Sequence, residues 1–504
     1  MMTLAGTLLL LLSAAPARSG TFSLVEVGPG TVPFLRLTGA EELSPSIGLW
    51  RVPTRAVSQL RDAGLVRLAE PERRVVPMQQ RVDPLLAGEW WLTPVGATRV
   101  VAPGPGVPVA VVDTGLDLQH PEFAQRADTT ALNTQNVANT LSDYHGTAVA
   151  SVIAAPANEI GMVGIYPQAV LDAYDVDLSG RLTLGELVRG IDTAANLGRV
   201  VINLSLGSTE FDQVLEDVVF SAFRRGALVV AAAGNSGANG PLSYPANFPH
   251  VLTVAAADTL DRPAGFSSAS QRVDLTAPGV AITVAVPLLY DVRAFQTVEG
   301  TSFSAPIVSG GAALAWTVRA DLDNTQVFDL MRFSARDVWT RGFDPETGFG
   351  MLDLPNALAR QEPMRDIEEP NDDIRLVKPH GLFPEGTPPL TTRTAARASL
   401  HATLDANEDP ADLYRVWIPP RDTVTVTARS THAVRVRVWG PRTRSVAETG
   451  ASAKRDLAAS STTRVRVANA SAHGGYYYAD VRLARGIRNG TYDLSVTTGA
   501  LAKR

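Results

Sequence analysis

Between residues 100 and 360 the chain alternates short, continuous apolar runs with longer amphipathic stretches. Val107-Pro-Val-Ala-Val-Val112, Val200-Val-Ile-Asn-Leu204, Ala227-Leu-Val-Val-Ala-Ala-Ala233 and Val251-Leu-Thr-Val-Ala-Ala-Ala257 are β-branched or small almost throughout. Strands covered on both faces of a parallel sheet read in this way. Leu184–Leu197 and Phe211–Arg225 are the helical candidates between them. The alternation predicts an α/β fold, a doubly wound parallel sheet, in which sites gather at the carboxyl ends of the strands. Asp113 and Asn235 each fall just after one of those runs.

Elsewhere the period changes. From about Thr391 apolar and polar residues alternate, as in Ala433-Val-Arg-Val-Arg-Val-Trp439 and Thr463-Arg-Val-Arg-Val467, which predicts a small antiparallel β-sandwich over 391–504. Arg435, Arg437, Arg464 and Arg466 would then face outward, either as ordinary solvated charge or as a basic face for anionic surfaces. Residues 361–390, rich in Pro, Asp and Glu, read as a linker, so removal of 375–504 is expected to spare hydrolysis of small peptides. Near the N-terminus, Ile47–Val52 reads as a strand and Thr54–Gly64 as a capped amphipathic helix; Leu65–Pro71 completes a strand–helix–strand unit. Residues 4–15 form an apolar run too short to span a bilayer. With Ala15-Pro16-Ala17 after it, though no basic residue before it, the run reads as a cleaved signal over 1–20.

Composition narrows the chemistry. The 504 residues are too many for one ordinary domain. The absence of cysteine excludes thiol nucleophiles, thiolate metal sites and disulfides. Charge is uneven: residues 1–360 carry 24 basic and 35 acidic groups, net −11, and residues 361–504 carry 21 and 16, net +5. That asymmetry suits two modules. Nucleic acid is not among the expected partners.

Three segments then supply an acid, a base and a nucleophile in order: Val112-Asp113-Thr-Gly, His145-Gly-Thr, and Gly300-Thr-Ser302-Phe-Ser-Ala-Pro. A serine hydroxyl is inert near neutral pH unless a base takes its proton and a carboxylate orients that base. Asp-Thr-Gly also marks aspartic proteases, but those need two such loops and only one occurs here. In this order and spacing the segments resemble the subtilisin-like serine proteases.

The resemblance implies a catalytic domain over 81–360, with Ser302 as nucleophile, His145 as general base and acid, Asp113 orienting His145, and Asn235 donating to the oxyanion. It implies a peptide-binding cleft edged by Ser205-Leu206-Gly207 and by Ala233-Gly234, with Ser243 at the floor of the primary pocket. Residues 21–80 resemble the inhibitory propeptide of that family, a small α+β unit that would be the enzyme's own inhibitor. Glu369-Pro-Asn-Asp372, Asp412-Leu-Tyr-Arg-Val and Gly490-Thr-Tyr-Asp-Leu-Ser-Val resemble the pre-peptidase C-terminal β-domains of secreted bacterial proteases. No cofactor is implied for the chemistry. A structural calcium is an expectation from Asn158-Glu-Ile-Gly-Met-Val-Gly, although Glu122 stands where the family usually has Asp, so the metal ligands stay undetermined. The whole reads as a secreted, self-maturing endopeptidase acting on proteins or peptides. The alternative is a surface-binding protein on a protease scaffold without catalysis.

Overall fold

A computed structural model describes residues 22–28, 35, 40–72, 82–133, 144–177, 180–447 and 453–500. The chain divides into two compact units, residues 1–81 and 82–504. The expected signal segment lies outside the described residues.

In the first unit, β1 (Phe22–Val27), β2 (Glu41–Ser44), β3 (Leu49–Pro53) and β4 (Val66–Pro71) form an antiparallel sheet in the order β2-β3-β1-β4, with the short helix α1 (Val57–Asp62). Period two puts Val25, Val27, Trp50 and Val52 on one face, where Ala56 and Leu60 cover them. The sequence reading found β3, α1 and β4 but passed over β1, whose alternation in Ser23-Leu-Val-Glu-Val27 carries the same signal.

The second unit is built on seven parallel strands: β5 (Val109–Asp113), β6 (Thr129–Ala131), β7 (Leu171–Asp175), β8 (Val201–Leu204), β9 (Leu228–Ala232), β10 (Val251–Ala257) and β11 (Leu275–Pro278). Their order is β11-β10-β9-β8-β5-β7-β6. From β5 the chain crosses to the edge strand β6, returns through β7 between them, and from β8 builds outward on the other side of β5. Neighbouring connections therefore diverge at the carboxyl ends of β5 and β8 and leave a crevice there. The helices α2 (His145–Ala154) and α5 (Thr301–Val318) lie on one face, against Val109, Val111, Val230 and Val254. On the other face, α3 (Leu184–Ala195) and α4 (Gln213–Arg224) cover Ala110, Val112, Ile202 and Val229. A small ribbon, β12 (Ile282–Ala285) with β13 (Phe295–Val298), precedes α5, and α6 (Asn324–Ser334) and α7 (Leu354–Ala359) follow it.

Beyond α8 (Ile374–Val377), antiparallel strands β14 (Arg397–Asp405), β15 (Asp412–Ile418), β16 (Asp422–Trp439), β17 (Arg455–Asp456), β18 (Ser460–Ala468), β19 (Gly475–Leu483) and β20 (Asn489–Ala500) enclose a single core. The hydrogen bonding is continuous through β16, which pairs with β18 and β20 along its first half and, after a register shift between Arg429 and Val434, with β19 along its second. Val434, Val436 and Val438 are fully buried, as alternation predicts. The arginines do not make one face: Arg435 and Arg437 converge on Asp456 beside the second half of β16, whereas Arg464 and Arg466 stand opposite Thr427 and Thr425 on the first.

The segment read as a linker is packed. Asn371, Ile374, Leu376 and Val377 are fully buried. Arg375 pairs with Glu216 and Asp217 of α4, and Arg224 donates to Gly386 O at 2.7 Å. Its acidic composition imitated a solvated tether, yet several of those acids are inside. Arg332, 2% exposed, fastens the two parts further: Nε lies 2.9 Å from Asp274, Nη1 3.1 Å from Asp329 and Nη2 2.5 Å from Asp405 at the end of β14.

Candidate active site

Asp113 closes β5, and its carboxylate is 1% exposed. Oδ1 accepts from Thr114 N (2.8 Å) and lies 2.8 Å from His145 Nδ1; Oδ2 is buried without a hydrogen-bonding partner. His145 opens α2. That helix approaches the loop after β5 so closely that a Cβ on Gly146 would come within 2.1 Å of Gly115 O. Only glycine permits the approach, and Thr114 Oγ1 and Thr147 Oγ1 stitch it by accepting from Gly146 N (3.1 Å) and Asp117 N (2.9 Å). Burial alone would lower the histidine's pKa; the charge of Asp113 and the hydrogen bond to it outweigh that and raise it above the ordinary 6.5.

Ser302 is the second residue of α5, where free N–H groups and the helix dipole favour negative charge. Gly300 before the helix has φ of 146°, a conformation that side chains avoid. Pro306 lies inside the helix, past its opening turn. It therefore removes the N–H that would have paired with Ser302 O, and Ser205 Oγ donates to that carbonyl at 2.8 Å instead. Ser302 Oγ donates to Ser205 O at 3.1 Å. Among the described residues no hydrogen bond joins Ser302 to His145, though the imidazole lies 5.8 Å, ring centre to ring centre, from Phe303.

Asn235 follows β9. Its Oδ1 accepts from Thr301 N (3.0 Å) and Thr301 Oγ1 (2.9 Å), and a backbone N–H can only donate, so the amide orientation is fixed. Nδ2 is left on the exposed side, next to Gly300. The same Thr301 hydroxyl accepts from Gly234 N at 3.2 Å. Sequence reasoning passed over Thr301, whose only signal is its place before the serine.

The expected cleft residues divide into two kinds. The backbone groups of Leu206 and Gly207 make no hydrogen bond among the described residues and form a free edge. Ser205 is 4% exposed and turns its hydroxyl inward, where it also accepts from Asn203 Nδ2. Ala233 spends its N–H on Val254 O and its carbonyl on Ser243 N, so it is a wall rather than an edge. Gly234 stands above Ser243, whose hydroxyl donates to Ala232 O at 3.0 Å.

Residues 104–350 match the model of the subtilase family. Over 255 residues the chain is 38% identical to subtilisin Savinase of Lederbergia lenta, which covers 48% of this chain and 91% of that one. Subtilisin of Bacillus pumilus is 35% identical over 254 residues, covering 48% and 91%. The chain belongs to the subtilase family. It is a subtilisin-like serine endopeptidase. Among solved structures, the subtilisin-like protease Apa1 of Pseudoalteromonas sp. AS-11 is similar with a TM-score of 0.48 at 21% identity, over 54% of this chain and 97% of that one.

In this subtilase the expected calcium loop satisfies itself. Glu122 Oε1 accepts from Met162 N (2.9 Å) and Oε2 from Asn158 Nδ2 (3.4 Å); Asn158 Oδ1 accepts from Ile160 N (2.8 Å). Asp83 Oδ1 accepts from Asn158 N (3.1 Å). Burial, opposed by the Met162 hydrogen bond and reinforced by Asp83, pushes Glu122 up to about 8. The side-chain oxygens of Glu122 and Asn158 are thus spent on protein N–H groups within the loop rather than presented to a hard cation.

Proposed function

We propose that this endopeptidase works through Ser302, His145, Asp113 and Asn235. Peptide substrate adds as an extended strand to the free edge at Leu206 and Gly207, with its primary side chain between that edge and the Ala233–Gly234 wall. Ser302 turns from Ser205 O toward His145 Nε2 and attacks the scissile carbonyl carbon while His145 takes the proton. Asn235 Nδ2 and the free N–H groups opening α5 stabilise the tetrahedral oxyanion. His145 then protonates the leaving amine, and a water repeats the sequence to release the acyl group. The observation that carries this reading is the 2.8 Å contact from His145 Nδ1 to Asp113, in the crevice where Ser302 and Asn235 also stand.

The chain is synthesised as a precursor: a signal over 1–20 directs secretion, and residues 21–80 fold as an inhibitor removed by the enzyme itself. The catalytic domain spans 81–360, and the antiparallel β-domain spans 391–504. Among the described residues no helix is long and apolar enough to cross a membrane. The test is the N-terminal sequence of protein expressed from residue 21, wild type beside Ser302→Ala. A new terminus near residues 76–83 in the wild type alone establishes self-maturation; an unprocessed wild type defeats it.

A further inference from the structure

Strands β14, β20, β16 and β18 lie side by side in that order, with the first half of β16 as the third. Period two sends Ala402, Leu494, Val426 and Val465 into the domain core and the residues between them outward. Register then sets the outward arginines near one another. Arg429 stands between Asp493 and Thr462, Arg464 beside Thr427, and Arg466 beside Thr425; Arg397 shares the row of Arg466, three strands away. Ser399, Ser495, Thr497 and His401 fill the remaining places in these rows.

Arginines elsewhere in the domain are paired. Arg435 and Arg437 face Asp456, and Arg482 lies 2.8 Å from Asp480. On this face the one carboxylate, Asp493, is taken by His401 at 2.8 Å. Among the described residues Arg397, Arg429 and Arg464 have neither a hydrogen bond nor an ion pair, and Arg466 reaches the Thr423 hydroxyl, with Nη2 at 3.3 Å. All four are exposed. An ordinary surface intersperses both signs, whereas a face of one sign concentrates the opposite charge around it. The Arg429 end is also concave: His401, Arg429, Thr431, Ser461 and Thr462 border a groove of about 390 Å³.

We propose that this face binds an acidic polysaccharide, with carboxylate or sulfate groups on the four arginines and one acidic sugar seated in the groove beside Arg429. The planar fork of a guanidinium matches paired acid oxygens. Between the arginines, the hydroxyls of Ser399, Ser495, Thr425, Thr427 and Thr497 have no protein partner among the described residues. Each can donate and accept, which suits a chain that is itself hydroxylated between its charges. These rows hold no apolar side chain to enter a lipid surface. They hold no aromatic ring on which bases could stack, apart from His401, which Asp493 tethers. None of the four strands contributes to the active site, so an enzyme held on such a polymer keeps its cleft open.

The test measures retention of the full chain carrying Ser302→Ala on polygalacturonate and on dextran sulfate, with neutral dextran as the blank. Retention on at least one acidic polymer is expected, weakening as sodium chloride rises. Retention on polygalacturonate alone identifies carboxylates as the groups bound, and on dextran sulfate alone sulfates. Arg464→Gln with Arg466→Gln should weaken binding about tenfold, as should Arg429→Gln alone. Arg435→Gln with Arg437→Gln removes the same charge from the other half of β16 and should change binding by less than about twofold. No retention, or equal retention on neutral dextran, overturns the proposal. Equal losses in the two double variants overturn it too, since net charge would then explain the attraction. Tighter binding to double-stranded DNA or to phosphatidylserine vesicles than to either polysaccharide, lost with the same arginines, overturns the choice of partner.

Discussion

Ser205 and Ser302 hold each other twice: Ser205 Oγ donates to Ser302 O at 2.8 Å, and Ser302 Oγ donates to Ser205 O at 3.1 Å. The first bond exists because Pro306 leaves that carbonyl without its helical partner. Ser205→Ala should therefore loosen the nucleophile without altering the substrate edge. Loss of one neutral hydrogen bond, about 1 kcal/mol, predicts a fall in kcat of about fivefold with KM nearly unchanged. Steady-state kinetics on a small peptide checks it; a rise in KM with unchanged kcat would place Ser205 in binding instead.

His145 must be neutral to accept the proton from Ser302. Its pKa is raised by Asp113, so kcat/KM should be lost as pH falls through a value above 6.5 and fully present well above it. Asp113→Asn removes the raising charge. The inflection should move to lower pH, and kcat should drop by about 10⁴ through loss of the correct tautomer. A pH–rate profile whose inflection stays put would show that another group titrates.

Thr301 acts through Asn235 and Gly234. Thr301→Val keeps the shape but removes the hydroxyl that Asn235 Oδ1 accepts from, so the amide is freer to turn. Asn235→Ala should cost about 10²–10³ in kcat, a magnitude known from subtilisin itself and not drawn from this geometry. Thr301→Val should cost a smaller part of it, and little further in the Asn235→Ala background. Equal losses in both backgrounds would give Thr301 a role of its own.

Residues without catalysis on a protease scaffold would resist a serine-directed fluorophosphonate. Covalent labelling of wild type, abolished in Ser302→Ala and slowed by Asp113→Asn, is the expected mass-spectrometric result. An unlabelled, folded wild type would favour the binding-protein alternative.

Arg332 predicts stability rather than turnover. Arg332→Met leaves Asp274, 0% exposed, without its guanidinium and should destabilise the fold by about 3–5 kcal/mol in denaturant titration. Arg332→Lys should not restore it, since one ammonium cannot face three acids in three directions. For the same reason removal of 375–504, harmless if 361–390 were a loose tether, should now lower the melting temperature of the remaining protease. A truncated protein that melts with the parent would return the β-domain to the status of an appendage.

The continuous apolar runs made β5, β8, β9 and β10 legible, and the short motifs placed Asp113, His145, Asn235 and Ser302, because these features are local in sequence. What sequence hid depends on contacts between distant segments. The inward hydroxyl of Ser205 follows from Pro306, 101 positions further along the numbering. The Thr301–Asn235 pairing spans 66 residues. Residues 361–390 were misread for a physical reason: acidic side chains signal solvent unless something inside receives them, and that partner is invisible in composition.

The guanidinium of Arg332 also sets an order of events. Its Nη2 partner, Asp405, lies 73 residues later in the chain. While the protein is being made, the protease core is complete in sequence before the acid that one of its buried nitrogens needs has left the ribosome. The catalytic half thus reaches full stability only once the first β-domain strand has emerged, so synthesis of that strand, rather than the completion of the active-site motifs, times its final folding.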